Sequence, residues 1–439
     1  MYYRVSAKKR GKTMNQLKLA SSGKTTKEIK KISEKEGIST DKFKKQFQIG
    51  QVIIPKNRFH EIRNPCGIGD STTTKVDANY GTGWGKTDFE TELQKMETAI
   101  EYGADVVMDL SLGGNLDDLR KQGIKKSGVP FGTVPIYQAA ITAITEAKNI
   151  ADMTPEIILE TIKKQAKQGV DFMTIHAGIL YEATKKLKKS GRIAGICSRG
   201  GSLLAEYMIL NKKENPLLER FDEILDIASK YDITLSIGSA LRSGAIHDST
   251  DMLQLGETVV TAELHKRALE ANVQSMIEGP GHMVMSDIPA NVKLIKKMTN
   301  NAPLYFLGPI VLDVATGYDN IVAAIGGSIA AHEGTNLLCY VTSVEHIRVP
   351  TLDEVRMGVI SSKIAAHAAD VSKGNPVLKK WNEEMSKARH ACDWKKQKEL
   401  SMDPKKFEEE FSKMPVNKGA GCTLCGEFCA YRKIRGQTK

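Results

Sequence analysis

The strongest constraint on the fold is a unit that recurs through the middle of the chain: a short apolar or β-branched run, a polar residue at its end, then an amphipathic helix. Eight such runs are read, at Asp105–Leu110, Pro130–Pro135, Val170–Ile175, Ile193–Cys197, Ile233–Ile237, Val273–Ile277, Pro303–Leu307 and Asn336–Val341. Helical patterns lie between them, at Phe89–Tyr102, Pro155–Gln168, Phe221–Lys230, Thr258–Glu270, Ile288–Met298 and Tyr318–His332. Short apolar runs that alternate with helices indicate parallel βα units. Eight of them over about 300 residues predict an α/β fold, a (β/α)8 barrel, because a doubly wound sheet usually needs fewer strands.

Three regions follow from this. Residues 1–60 read as a basic, helical cap in which Ile29, Ile32, Phe43 and Phe47 share a face, closed by the short strand Val52-Ile53-Ile54-Pro55. Residues 61–375 form the barrel and carry the substrate site. Residues 376–439 are a helical segment, with helices at Trp381–Lys396 and Pro404–Ser412, and a cysteine-bearing tail. Hydrophobic residues make up 41% and charged residues 26%, as in an ordinary soluble enzyme. The absence of a long apolar run or a signal-peptide pattern predicts a cytoplasmic protein without a membrane partner. The net charge of +11 sits almost wholly in residues 1–50, where 14 Lys and Arg face 4 Asp and Glu. Without interleaved aromatics or a recognition motif, that excess reads as a solvated helical face, and nucleic acid is not an expected partner.

In a barrel, chemistry is built just past the C-terminal ends of the strands. Ser198-Arg199-Gly200-Gly201-Ser202 joins a cation, hydroxyls and glycine amides at a helix start, as a phosphate cradle requires, although a tight turn with a surface arginine has the same letters. Arg242 offers a second positive charge. His282 and His346, near Glu278 and Glu345, are candidate ligands of a divalent metal; each is otherwise a structural histidine or an acid/base. His176 reads as a donor to substrate or a base, and Tyr137 and Tyr305 as substrate ligands or packing residues. Gly326-Gly327 falls inside a helical pattern and lacks the lysine of a phosphate loop, so it reads as close helix packing.

Near the end of the chain Cys422, Cys425 and Cys429 lie two and three residues apart. Such a trio is a ligand set: either a zinc knuckle completed by a distant donor such as His390 or Cys392, or an iron–sulfur cluster with one iron left open. Cys66, Cys197, Cys339 and Cys392 are expected as free thiols, since cytosolic cysteines are normally reduced.

Taken in order, these pieces resemble the radical S-adenosylmethionine family that contains the thiamine-pyrimidine (phosphomethylpyrimidine) synthase and its paralogue 5-hydroxybenzimidazole synthase. The resemblance runs from about residue 50 to the end. It is carried by Val134-Pro135-Ile136-Tyr137-Gln138-Ala139, the Ser198–Ser202 cradle, Met276-Ile277-Glu278-Gly279-Pro280-Gly281-His282, Leu338-Cys339-Tyr340-Val341-Thr342, Lys363–Asp370 and the cysteine trio. It implies a [4Fe-4S] cluster on Cys422, Cys425 and Cys429 whose free iron chelates S-adenosylmethionine, an electron donor, and a 5′-deoxyadenosyl radical acting on 5-aminoimidazole ribotide. It further implies phosphate binding by Ser198, Arg199 and Gly200. Asn79, Met108, Tyr137, His176, Glu278 and Tyr305 would surround ribose and imidazole, with Ser239, Ala240, Leu241 and Arg242 at the rim. His282 and His346 would hold an additional metal, zinc or iron. The cluster tail would dock on a partner subunit, as in a homodimer.

The chain departs from the thiamine pattern at several places. Ser239-Ala240 stands where Asp-Gly is usual, Asp77 where Asn is usual, and Ala315-Thr316-Gly317-Tyr318-Asp319-Asn320 where Ala-Pro-Gly-Tyr-Asp-His is usual; proline is also usual at or near Val284. A serine in place of a carboxylate removes an acceptor for a ribose hydroxyl, so the departures point to 5-hydroxybenzimidazole for a cobamide lower ligand. The alternative product is the pyrimidine phosphate of thiamine. A reading of another class is a non-catalytic, zinc-bound partner subunit.

Overall fold

Eight parallel strands close on themselves in the computed structural model of the chain, which describes residues 14–85, 88–147, 149–414, 424–425 and 428–434. They are β1 Lys75–Tyr80, β2 Val106–Asp109, β3 Phe131–Thr133, β4 Phe172–Ile175, β5 Thr234–Ile237, β6 Ser275–Glu278, β7 Leu304–Leu307 and β8 Leu337–Cys339. Each pairs with the next, and β8 returns to β1 with Cys339 beside Asp77. This is the expected (β/α)8 barrel. Helices surround it and bury their apolar faces on the strands, with Phe131, Phe172 and Phe306 wholly enclosed.

The expected strands and the observed ones differ at two places. Seven of the expected runs contain strands, but Ile193–Cys197 does not. Ile193 is 74% exposed, and its amide and that of Ala194 donate to the Asp248 carboxylate at 2.8 Å each. Arg192 grips Asp251 through two bonds of 2.7 Å. Side chains thus satisfy this backbone in place of a neighbouring strand. The eighth strand is instead β1, which apolar pattern does not reveal because Lys75 and Asp77 interrupt it. Both are buried, and each has a partner: Lys75 Nζ lies 2.7 Å from Glu36 Oε1, and Asp77 Oδ2 accepts from the Tyr305 hydroxyl at 2.5 Å.

The chain divides into two compact units, Met1–Ala369 and Asp370–Lys439. In the first, helices Gln16–Ser21, Lys27–Glu36 and Thr40–Gln48 precede the barrel, capped by the side chains of Asn15, Thr26 and Ser39. These caps satisfy amide groups that a helix start leaves unpaired. Ile29, Ile32, Phe43 and Phe47 gather with Leu17, Val52 and Ile54 into a separate core. Val52–Ile53 pairs antiparallel with Ile68–Gly69.

The second unit holds helices Pro376–Ala391, Trp394–Leu400, Pro404–Ser412 and Ala430–Ile434. The expected helix at Trp381–Lys396 is two. Asn375 caps the first at an earlier point, the chain turns at Cys392 with φ +52°, and Asp393 caps the second. Among the described residues, no helix is long and apolar enough to cross a membrane.

Candidate functional site

Six of the eight strands contribute residues to one cavity at their C-terminal ends, and the segments that follow β3 and β5 complete it. Asn79, Met108, Tyr137, His176, Arg242, Glu278 and Tyr305 line it, together with Thr174 and Cys339. Inward-facing positions recur every second residue along a strand, which is how Asn79 on β1 and Glu278 and Tyr305 on adjoining β6 and β7 reach the same space. The Glu278 carboxylate is fixed by the hydroxyls of Thr174 at 2.8 Å and Ser236 at 3.0 Å, and by the Ser239 amide at 3.3 Å.

His176, just past β4, is enclosed between two glycines. A Cβ on Gly200 would come within 2.4 Å of the imidazole, and one on Gly238 within 2.8 Å. Its Nε2 lies 3.1 Å from Ser198 Oγ, while Nδ1 has no partner among the described residues. Burial, helped by the charge of Arg242, pushes its pKa down to about 3, so the ring is neutral near pH 7.

The segment expected to cradle a phosphate lies at a helix start but follows no strand of its own. Ser198 caps helix Arg199–Asn211, accepting from the Gly201 amide at 3.1 Å, at the end of the long connection from β4. A helix N-terminus of this length presents free amides and a positive dipole end to an anion. The Arg199 guanidinium lies over the Tyr137 ring, 5.0 Å from its centroid. Arg242 Nη1 donates to Ser239 O at 3.2 Å, and its Nε has no partner among the described residues.

Among the described residues that line the cavity are none of Ser198, Arg199, Gly200, Ser239, Ala240 and Leu241, although the Ser239 amide donates to Glu278 in its wall. The amides of Ala240 and Leu241 donate to the two oxygens of Glu257 at 2.8 and 2.7 Å, and Ser239 Oγ lies 3.4 Å from the same carboxylate. Burial pushes Glu257 up to about 7 against the pull of those amides. The turn they form carries Arg242 to the cavity. Glu257 was not singled out in the sequence, yet it stands on the buried face of helix Met252–Glu270 with Leu253, Thr261 and Leu264. A carboxylate on an apolar helical face is the signal that could have found it.

His282 and His346 come together, their ring centroids 5.3 Å apart. Nδ1 of His282 is 2.7 Å from Asp313 and Nδ1 of His346 is 3.1 Å from Asp319, so each ring is oriented by a carboxylate behind it. That arrangement suits metal-binding histidines, whose second nitrogen usually bonds an acceptor. Glu278 and Glu345 are engaged with other partners, Glu345 with Thr342. Among the described residues no group of three metal-ligating side chains is assembled, so the pair supplies two donors. Gly326 packs as expected: a Cβ there would fall 2.0 Å from Pro309 O. In the tail, Cys425 is exposed and Cys429 buried, and both are free thiols, the donor chemistry a cluster takes. Cys422 lies outside the described residues.

The Radical SAM ThiC family matches this sequence over residues 15–436. Similar proteins include the phosphomethylpyrimidine synthase of Thermoanaerobacter sp. (strain X514), 47% identical over 96% of this chain and 98% of its own. That of Moorella thermoacetica is 44% identical over the same shares, and that of Methanocaldococcus jannaschii 45% identical over 95% and 98%. Their shared name is that of the alternative product, and it gives no support to the preference for 5-hydroxybenzimidazole. At one of the departures that suggested it, the Ser239 hydroxyl lies 3.4 Å from Glu257. With a family match along nearly its whole length, the chain is an enzyme of the radical SAM ThiC family.

Proposed function

We propose that this enzyme is a phosphomethylpyrimidine synthase, which rebuilds 5-aminoimidazole ribotide into the pyrimidine phosphate of thiamine. Family membership brings S-adenosylmethionine and an iron–sulfur cluster. In this reading the cluster is [4Fe-4S], held by Cys422, Cys425 and Cys429, and with S-adenosylmethionine it supplies hydrogen-atom abstraction. A homodimer and an external one-electron donor belong to the same reading.

The observation that carries the substrate is a set of unpaired polar atoms. Asn79 Oδ1, His176 Nδ1 and Arg242 Nε are buried without partners among the described residues, and all three residues line the cavity. An unsatisfied buried polar group costs about 1–3 kcal/mol, so this cavity favours a polar, multiply hydrogen-bonding ligand. Arg199, Ser198 and the amides of the helix start bind the phosphate. Glu278 and neutral His176 orient ribose and imidazole, and Tyr137 and Tyr305 bound the ring. His282 and His346 hold a divalent metal, zinc or iron, beside them.

The test is an anaerobic reaction of reconstituted enzyme with 5-aminoimidazole ribotide, S-adenosylmethionine and dithionite, with the product identified by mass. Pyrimidine phosphate is expected. Formation of 5-hydroxybenzimidazole, or no cleavage of S-adenosylmethionine by protein that binds only zinc, overturns the reading.

A further inference from the structure

Beneath the cavity lies a carboxylate that the substrate reading leaves unused. Asp77, on β1, is fully buried; its Oδ2 accepts the Tyr305 hydroxyl hydrogen at 2.5 Å, and its Oδ1 has no partner among the described residues. Asn79, two residues on and facing the same way, lines the cavity with Tyr305 and Cys339. Its Nδ2 lies 3.0 Å from Cys339 Sγ. Asp77 is therefore one side-chain layer deeper than the residues that meet a ligand.

A phenol has a single hydrogen to donate. Once it goes to Asp77, any further bond at the Tyr305 oxygen must be accepted from its partner. We propose that Asp77 is a positioning residue that sets the hydrogen-bond polarity of the cavity floor, holding the Tyr305 oxygen as an acceptor for an N–H or O–H group of the substrate. This rests on the ribotide reading of the cavity, and the amine and hydroxyls of a ribotide are groups of that kind.

The arrangement is sensitive to protonation. Burial pushes Asp77 up to about 7, against the Tyr305 bond and with the help of Glu278. The titratable groups facing it are Glu278 from β6, Tyr305 from β7, and Cys339 and Tyr340 at the end of β8. A protonated Asp77 is itself a donor. It then competes for the Tyr305 oxygen and frees the phenol hydrogen, so the floor presents a donor where it had presented an acceptor.

The experiment is calorimetric titration of the full-length protein with 5-aminoimidazole ribotide between pH 6 and pH 8, for wild type, Asp77→Asn and Tyr305→Phe. If binding needs the ionised carboxylate, wild-type affinity falls about tenfold from pH 8 to pH 6 beyond the fall in Asp77→Asn. Titration of the ligand phosphate is common to both proteins and cancels in that comparison. The infrared difference spectrum between the two pH values should show a carboxylic-acid carbonyl band in the wild type that Asp77→Asn lacks. Tyr305→Phe should bind more weakly and lose the same pH limb, and it carries the test if Asp77→Asn does not fold. Ribotide binding with an identical pH profile in wild type and Asp77→Asn, or undiminished binding by Tyr305→Phe, overturns the proposal alone. Failure of the wild type to bind ribotide at any pH overturns the ribotide reading together with it.

Discussion

The guanidinium of Arg199 lies over the ring of Tyr137 at 5.0 Å, joining the first turn of helix Arg199–Asn211 to the cavity wall. The contact holds a planar, five-donor cation at the start of that helix, and lysine cannot reproduce its fork of donors. Arg199→Lys is expected to weaken ribotide binding by roughly the 1.5–3 kcal/mol of a charged hydrogen bond. Cleavage of S-adenosylmethionine without ribotide should persist. Calorimetry checks the first part, and unchanged ribotide affinity would remove Arg199 from the phosphate site.

The paired histidines give a prediction about metal. Asp313 orients His282 through Nδ1, and removing such a partner typically costs about 10- to 100-fold in metal affinity. Asp313→Asn should therefore weaken zinc binding within that range, and His282→Ala further still. Competition against a chromogenic chelator measures both. Equal affinity in Asp313→Asn and wild type would show that the carboxylate does not tune the site.

Glu257 satisfies two buried amides at once. Glu257→Ala leaves both without acceptors, at about 1–3 kcal/mol each, and frees the turn that delivers Arg242. A lower Tm and weaker ribotide binding are expected together. A lower Tm with ribotide affinity intact would show that Arg242 does not depend on this turn.

His176 sets a pH dependence of stability. Its folded pKa of about 3 lies below the ordinary 6.5, so between those values the unfolded chain binds a proton that the folded one does not. Stability from this group is therefore present above 6.5 and is lost as pH falls through the window. Denaturant titrations from pH 7 to pH 4 should show a declining stability whose slope is shallower in His176→Gln. Parallel slopes would mean that His176 is protonated in the fold.

The barrel was legible because its strands are buried on both faces and carry their apolar character openly, as Phe172–Ile175 and Leu304–Leu307 do. It was misread where polar residues are buried with partners distant in sequence. Lys75 depends on Glu36, and Asp77 on Tyr305, so neither declares in its own neighbourhood that it belongs inside. The cavity residues were legible because strand ends in a barrel converge and because family resemblance placed them. The supporting residues were not. Glu257, Asp313 and Asp319 act on amides and imidazoles that lie 16 to 31 residues away, a relation that no local pattern records.

The bond between Asp77 and Tyr305 spans 228 residues of chain, and this bears on how the molecule is made. At about 5–20 residues per second, a ribosome takes roughly 10–45 s to go from one to the other. Lys75 has Glu36 behind it from the start, but Asp77 must wait in water until β7 emerges. Inward-pointing charge on an unpaired strand discourages pairing with the wrong edge. The strand that is hardest to recognise in the sequence is thus the one kept from sticking while the rest of the barrel is still being synthesised.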